Sequence, residues 1–261
     1  MSFRWLKSLN ISNVINGVIM RRQFVKKMFN PVLNKFLKMK VIDSYQQADF
    51  FSTDLFKALN VTVDVIFDVG ANVGQCTTSF RQNFPEAQIH SFEPVEDTFN
   101  KLSENCSKID VELNKLAASD RAGHSEISVD SRNSLVSSLE IKHAGSESVT
   151  IETIRLDDYI KDHSIKHIGI VKVDVEGHEA AVISGLAVSL TSLIVDAVVI
   201  EATFTPEVIK SMDFFELVPL MKKYGYRLQG LYELDYSHIY TKGVFKLGNA
   251  LFLKESNPYF K

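Results

Sequence analysis

The chain has 261 residues, 45% of them hydrophobic and 23% charged, with a net charge of −3. That size and balance suit one globular α/β domain with an extension and exclude a disordered or fibrous chain. No run of 18 apolar residues occurs, so no membrane-spanning helix is expected.

The charge is uneven. Nine Lys and Arg (Arg4, Lys7, Arg21, Arg22, Lys26, Lys27, Lys35, Lys38 and Lys40) and no Asp or Glu fall within residues 1–40, leaving 20 basic against 32 acidic residues beyond them. The acidic body argues against nucleic acid as a partner. Phe24, Met28, Leu33, Phe36, Leu37 and Met39 are interleaved with the cations, and Pro31 divides two short helical segments. The stretch reads as a basic helical cap over the domain, and the same pattern fits adhesion to an anionic membrane surface or glycan. Ile11–Met20 is interrupted by Asn13 and Asn16, so a cleaved signal peptide is not expected. Tyr45–Leu59 predicts a helix, since Phe51, Leu55 and Leu59 repeat at four-residue steps.

Val63–Gly74 opens with β-branched and aromatic residues, as a buried strand does, then turns through Asp68, Val69 and Gly70 and passes Asn72 into Gly74. Gln75–Phe84 follows with Thr77, Phe80 and Phe84 at helical spacing. A strand, a glycine turn and a helix N-terminus present free amides to a ligand. The NAD fingerprint requires Gly-x-Gly-x-x-Gly, and Asn72 and Gln75 stand where its second and third glycines belong. Cys76 and Cys106, the only cysteines, fall on core-facing helix positions. They read as buried free thiols in a reducing cytoplasm.

Gln88–Phe92 predicts a second strand ending at Glu93, whose carboxylate can accept two ribose hydroxyls, a geometry that also serves NAD. The helix Val95–Cys106 and a third strand over Val111–Ala118 follow, ending at Ser119 and Asp120. Glu126–Val129 and Ser148–Ile154 alternate as short strands around the serine-rich Ser134–Leu139. His167–Val175, apolar but for Lys172, predicts a strand buried on both faces. If it stays extended, Asp174 and Glu176 share one face; Glu179 then reads as a first-turn helix carboxylate answering the dipole. The helix Ala180–Leu190, a fifth strand Leu193–Ile200 ending at Glu201, and a helix begun by Thr205 and Pro206 come next. Pro219 should kink or split that helix and Gly225 end it; Tyr226–Leu234 and Asn249–Lys254 are the last strands.

Asp-Val-Gly-Ala-Asn-Val-Gly at 68–74 resembles the first nucleotide-binding motif of class I S-adenosylmethionine (SAM) methyltransferases. Ile170–Glu179, Ser134–Leu139 and Leu156–Tyr159 resemble the FkbM family within that class, over Asp64 to Lys254. The resemblance implies a Rossmann-like α/β fold: a largely parallel seven-stranded sheet with helices on both faces. It implies a helical extension over residues 1–60 and a methyltransferase domain over 61–261, with a β-hairpin insertion at about 123–154. SAM is the implied cofactor, held by Asp68, Gly70, Asn72, Gly74 and Glu93, with Ala118 and Ser119 near the adenine and Asp174 near the methionine end. Gly70→Val is expected to abolish SAM binding while the fold survives.

A sugar hydroxyl needs its proton removed before it can take a methyl group, and Glu176, His178 and Glu201 are the candidate bases. Asp174 and Glu201 end neighbouring strands and could ligate Mg²⁺ through oxygen, but a third ligand is missing, so the metal-free route is favoured. The expected activity is O-methylation of a hydroxyl on a sugar, glycan or related metabolite, in the cytoplasm or at the membrane periphery. A NAD-dependent oxidoreductase and a non-catalytic SAM-binding subunit are the alternatives.

Overall fold

A computed structural model describes residues 51–129, 137–138, 147–205, 211–235 and 245–261. The basic extension, most of Ser134–Leu139 and Pro206 lie outside the described residues. A short helix α1 (Thr53–Ala58) is capped by Ser52, whose hydroxyl accepts from the Leu55 amide. The alternation then runs β1 (Val65–Val69), α2 (Gln75–Asn83), β2 (Gln88–Phe92), α3 (Glu96–Asn105) and β3 (Glu112–Asn114). Later come α4 (Leu156–Asp162), β8 (Ile168–Val173), α5 (Glu179–Gly185), α6 (Ala187–Thr191) and β9 (Val195–Thr203). The chain closes through α7 (Phe214–Lys223), β11 (Tyr226–Tyr232) and β12 (Leu247–Lys254).

The main sheet has the order β11-β12-β9-β8-β1-β2-β3, with a two-residue strand β10 (Met212–Asp213) beside β9. The seven expected strands form this path, and β10 adds an eighth beside it. All pairings are parallel except those of β12, which is antiparallel to both neighbours. Every residue of β1 and β8 is buried, which is why they read as continuous apolar runs. Successive side chains face opposite layers. Phe67 and Val171 pack with Leu156, Tyr159, Val182, Leu190 and Leu217 under α4 to α7, while Ile66 and Ile170 pack with Phe56, Phe80 and Phe84 under α1 and α2. Each fully buried side chain of this kind contributes about 1.5–3 kcal/mol. The order reverses at β1, between β2 and β8, and open α/β sheets bind ligands at the carboxyl end of such a switch point.

A second sheet is built from β4 (Ala117–Ala118), β5 (Gly123–Val129), β6 (Ser137–Ser138) and β7 (Glu147–Ile154). Its body is the antiparallel β5–β7 ladder, Gly123 opposite Thr153 through Val129 opposite Glu147. The single strand expected over Val111–Ala118 is thus two. Glu112–Asn114 pairs with β2, whereas Ala117 and Ala118 pair with Thr153 and Ile154 of the second sheet. Two other expectations change. Residues 180–190 form two helices meeting at Leu186, not one. The helix start expected at Thr205 and Pro206 runs into residues outside the described ones; a helix spans Phe214–Lys223, where Asp213 accepts from the Phe215 amide. Pro219 sits inside that helix without splitting it, and Gly225, at φ +81°, ends it.

Candidate active site

The carboxyl ends of β1, β2 and β8 surround a cavity of about 500 Å³, within the range of small-molecule sites. Gly70, Asn72, Cys76, Glu93, Thr98, Ala118, Lys172, Asp174, Glu176, His178 and Glu233 are among the residues that line it. The strand–turn–helix forms one wall. Gly70 (φ +78°) and Asn72 (φ +51°) bring the loop over the end of β1, and both the Gly70 and Ala71 amides donate to the Phe92 carbonyl. Glu93 is 7% exposed; its Oε2 accepts from the Asn72 amide at 3.1 Å and its Oε1 from the Val95 amide at 3.0 Å. Burial pushes its carboxyl up to about 7 against the pull of those two amides. Each oxygen keeps a second lone pair for a hydroxyl donor.

Below the loop lies a charged group that sequence reading passed over. Lys172 stands opposite Asp68 in the β1–β8 ladder. Its ammonium is 3.4 Å from Asp68 Oδ1 and 3.3 Å from Asp174 Oδ2, and donates to the Gly70 carbonyl at 3.1 Å. Burial opposes the charge, but the Asp174 and Asp68 carboxylates outweigh it and hold the ammonium above the ordinary lysine range. Asp68 is fully buried, accepts from Thr77 Oγ1 at 2.7 Å, and does not border the cavity. From that position Asp68 steadies the loop through Thr77 and Lys172. The signal in the sequence was the lone lysine in an apolar strand, since a buried lysine needs a carboxylate partner.

Gly70 and Gly74 both serve close packing, and of the two Gly70 also borders the cavity. A Cβ on Gly70 would lie 1.8 Å from the Asp174 carbonyl oxygen, so Gly70 admits β8, and a valine there would disturb the sheet as well as the cavity. A Cβ on Gly74 would meet Leu102 Cδ1 at 2.9 Å and Cys106 Sγ at 3.0 Å. Gly74 therefore lets α2 and α3 pack and is absent from the cavity wall.

β8 ends at Val173, and the chain then turns through Glu176 (φ +51°) and Gly177 (φ +105°). Asp174 and Glu176 thus do not alternate on an extended face, although both border the cavity. Glu179 is a first-turn helix carboxylate, as expected, and does more. It is fully buried, and it binds the amides of Gly177 (3.1 Å) and Val175 (3.4 Å) with one oxygen and that of Met212 (3.0 Å) with the other. It clamps the loop that carries Glu176 and His178, and burial pushes its carboxyl up to about 7.

His178 Nε2 is 3.0 Å from Ser119 Oγ, which donates to Asp120 Oδ1 at 3.2 Å. With that donor spent, Nε2 is inferred to carry the proton. Ser119 is off the cavity wall and acts on His178; Ala118 lies on the wall. Glu201 lies inside β9, bonded by Ser211 Oγ at 2.7 Å, and is not on the wall. Burial first, and the Asp174 charge second, push it up to about 8. A carboxyl raised on folding loses stability as pH climbs from 4.5 through about 8. Glu201→Gln keeps an acceptor for Ser211, so in alkaline buffer it should stabilise the protein by about 1–3 kcal/mol. Destabilisation in urea titration would contradict this placement. Asp174 is engaged by Lys172 and Glu201 by Ser211. Among the described residues no group of three or more His, Cys, Asp or Glu is placed to hold a metal ion.

The FkbM methyltransferase domain model matches residues 68–228, from the glycine loop through β11. The chain belongs to the FkbM methyltransferase family. Among curated relatives, the hexuronic acid methyltransferase AglP of Haloferax volcanii is 32% identical over 146 residues, 55% of this chain and 59% of that one. The 2-O-methyltransferase NoeI of Sinorhizobium fredii is 29% identical over 49% of this chain and 59% of its own. The 31-O-demethyl-FK506 methyltransferase FkbM of Streptomyces tacrolimicus is 27% identical over 47% and 59%. The chain thus spans about three-fifths of the length of these relatives. A solved SAM-dependent methyltransferase from Clostridium acetobutylicum covers 87% of this chain and 98% of its own at 8% identity, with a TM-score of 0.48.

An FkbM domain uses SAM, and the cavity fits it. Asn72 Oδ1 and Thr98 Oγ1 are buried side-chain atoms of the wall with no hydrogen-bond partner among the described residues. Such atoms call for a polar ligand. When bound, SAM supplies an electrophilic methyl group on sulfonium. Among the described residues no helix is long and apolar enough to cross a membrane.

Proposed function

We propose that the protein is a SAM-dependent O-methyltransferase acting on a hydroxyl of a sugar, a glycan or a related metabolite. One observation carries the reading: a single cavity joins the Glu93–Asn72 pair to Asp174, Glu176 and His178. Glu93 accepts the two ribose hydroxyls, Ala118 lines the adenine, and Asp174 faces the methionine end. His178, oriented by Ser119 and Asp120, or Glu176 beside it, takes the proton of the acceptor hydroxyl. General-base help of this kind contributes about 10²–10⁴-fold. The similarity to the hexuronic acid methyltransferase AglP and the 2-O-methyltransferase NoeI supports a sugar or other hydroxyl acceptor.

The test is release of S-adenosylhomocysteine, with mass spectrometry of the methylated product, across neutral, uronic and lipid-linked sugars. Turnover that persists in EDTA and falls at least about 100-fold in a Glu176→Gln, His178→Ala double variant is the expected result. SAM binding without turnover on any hydroxyl compound would instead leave a non-catalytic SAM-binding subunit.

We also infer that the nine cations of residues 1–40 meet an anionic membrane surface. Deleting residues 1–40 should weaken sedimentation with anionic vesicles and leave SAM affinity within about twofold. Unfolding of the truncated protein would make that segment a cap.

A further inference from the structure

We propose that Glu233, held by Asn249, lines the cavity with a carboxylate that selects an uncharged hydroxyl acceptor over an anionic one. The inference rests on the O-methyltransferase reading above and refines its substrate class.

Glu233 follows β11 directly and lies at φ +49°, a backbone conformation that costs a glutamate energy and persists where surroundings impose it. Asn249 provides the constraint. It stands opposite Tyr232 on one side of β12 and Glu201 on the other, and its Nδ2 donates to Glu233 Oε2 at 2.7 Å. The carboxylate so held borders the same cavity as Glu93 but comes from β11, across β12, β9 and β8 from the glycine loop on β1.

The charge of the wall gives this position its meaning. Glu93, Asp174, Glu176 and Glu233 all border the cavity. Among the described lining residues the only Lys or Arg is Lys172, whose ammonium is engaged by Asp68, Asp174 and the Gly70 carbonyl. His178 is engaged by Ser119. The described wall therefore offers hydroxyl groups several acceptors and offers a second carboxylate no cation. Like charges brought together in a desolvated site cost several kcal/mol, the usual means of rejecting a wrong ligand.

The experiment compares matched acceptors in mildly alkaline buffer: the methyl glycosides of glucose and galactose against those of glucuronic and galacturonic acid. Wild type should favour the neutral member of a pair by at least about tenfold in kcat/KM. Glu233→Gln keeps the Asn249 hydrogen bond and the shape. It should shrink that ratio about tenfold by raising the uronate value, with S-adenosylhomocysteine affinity by calorimetry changed less than about twofold. A wild-type preference for the uronates, or a ratio unmoved by Glu233→Gln, overturns this inference alone. A loss of about tenfold or more in S-adenosylhomocysteine affinity also overturns it, because Glu233 would then serve the cofactor. No turnover on any of the four or on any acceptor of the wider panel above overturns the O-methyltransferase reading and this inference with it.

Discussion

Lys172→Met should destabilise the protein by about 3–5 kcal/mol, the cost of leaving a buried charge without its partner. Methionine matches much of the lysine's length, so packing survives while Asp68, fully buried, loses the ammonium 3.4 Å away. Asp174 and the Gly70 carbonyl lose the same cation. The glycine loop and the end of β8 are then no longer tied together, and SAM affinity should fall by more than about 100-fold. Adding Asp68→Asn removes the orphaned charge and should return part of the stability without returning SAM binding. Urea denaturation and calorimetry on both variants decide it. A single variant within about 1 kcal/mol of wild type would mean that the Lys172 ion pairs contribute little.

Gly70→Ala should be as severe for a steric reason. The added methyl carbon would lie 1.8 Å from the Asp174 carbonyl oxygen and 2.8 Å from its carbon, and a backbone atom cannot turn aside as a side-chain tip can. The φ of +78° adds a further penalty for any Cβ. Loss of folded protein, or destabilisation beyond about 4 kcal/mol, is expected. Gly123→Ala is the internal control. Its φ is +143° but nothing lies within 4 Å of the added carbon, so it isolates the backbone cost. Equal thermal shifts in the two variants would rule out the clash as the cause.

The strand–turn–helix at Val65–Asn83 was legible because its pattern is local: a β-branched run, a glycine turn, then apolar residues at helical spacing. Glu93 was legible for the same reason, since it ends the next strand. Lys172 with Asp68 was not, because their meeting depends on the register of strands about 100 residues apart, which no local pattern encodes. The break in the third strand escaped notice because Leu113 and Ala117 look equally strand-like; only the partner, β2 or β7, separates them. Glu179 and Glu201 both read as end-of-element carboxylates, and burial turned one into a loop clamp and put the other inside β9. Glu233 left no signal, since its left-handed backbone and its hold by Asn249 appear only once β11 and β12 pair.

The central claim is that the cavity above β1 holds SAM by gripping its ribose with Glu93. Isothermal titration of wild type and Glu93→Ala with SAM, and of wild type with NAD, tests it most directly. Wild type should bind SAM in preference to NAD, and Glu93→Ala should weaken SAM by about 10–150-fold, the worth of about 1.5–3 kcal/mol in charged hydrogen bonds. A Glu93→Ala affinity within about twofold of wild type, or tighter binding of NAD than of SAM, would contradict the account.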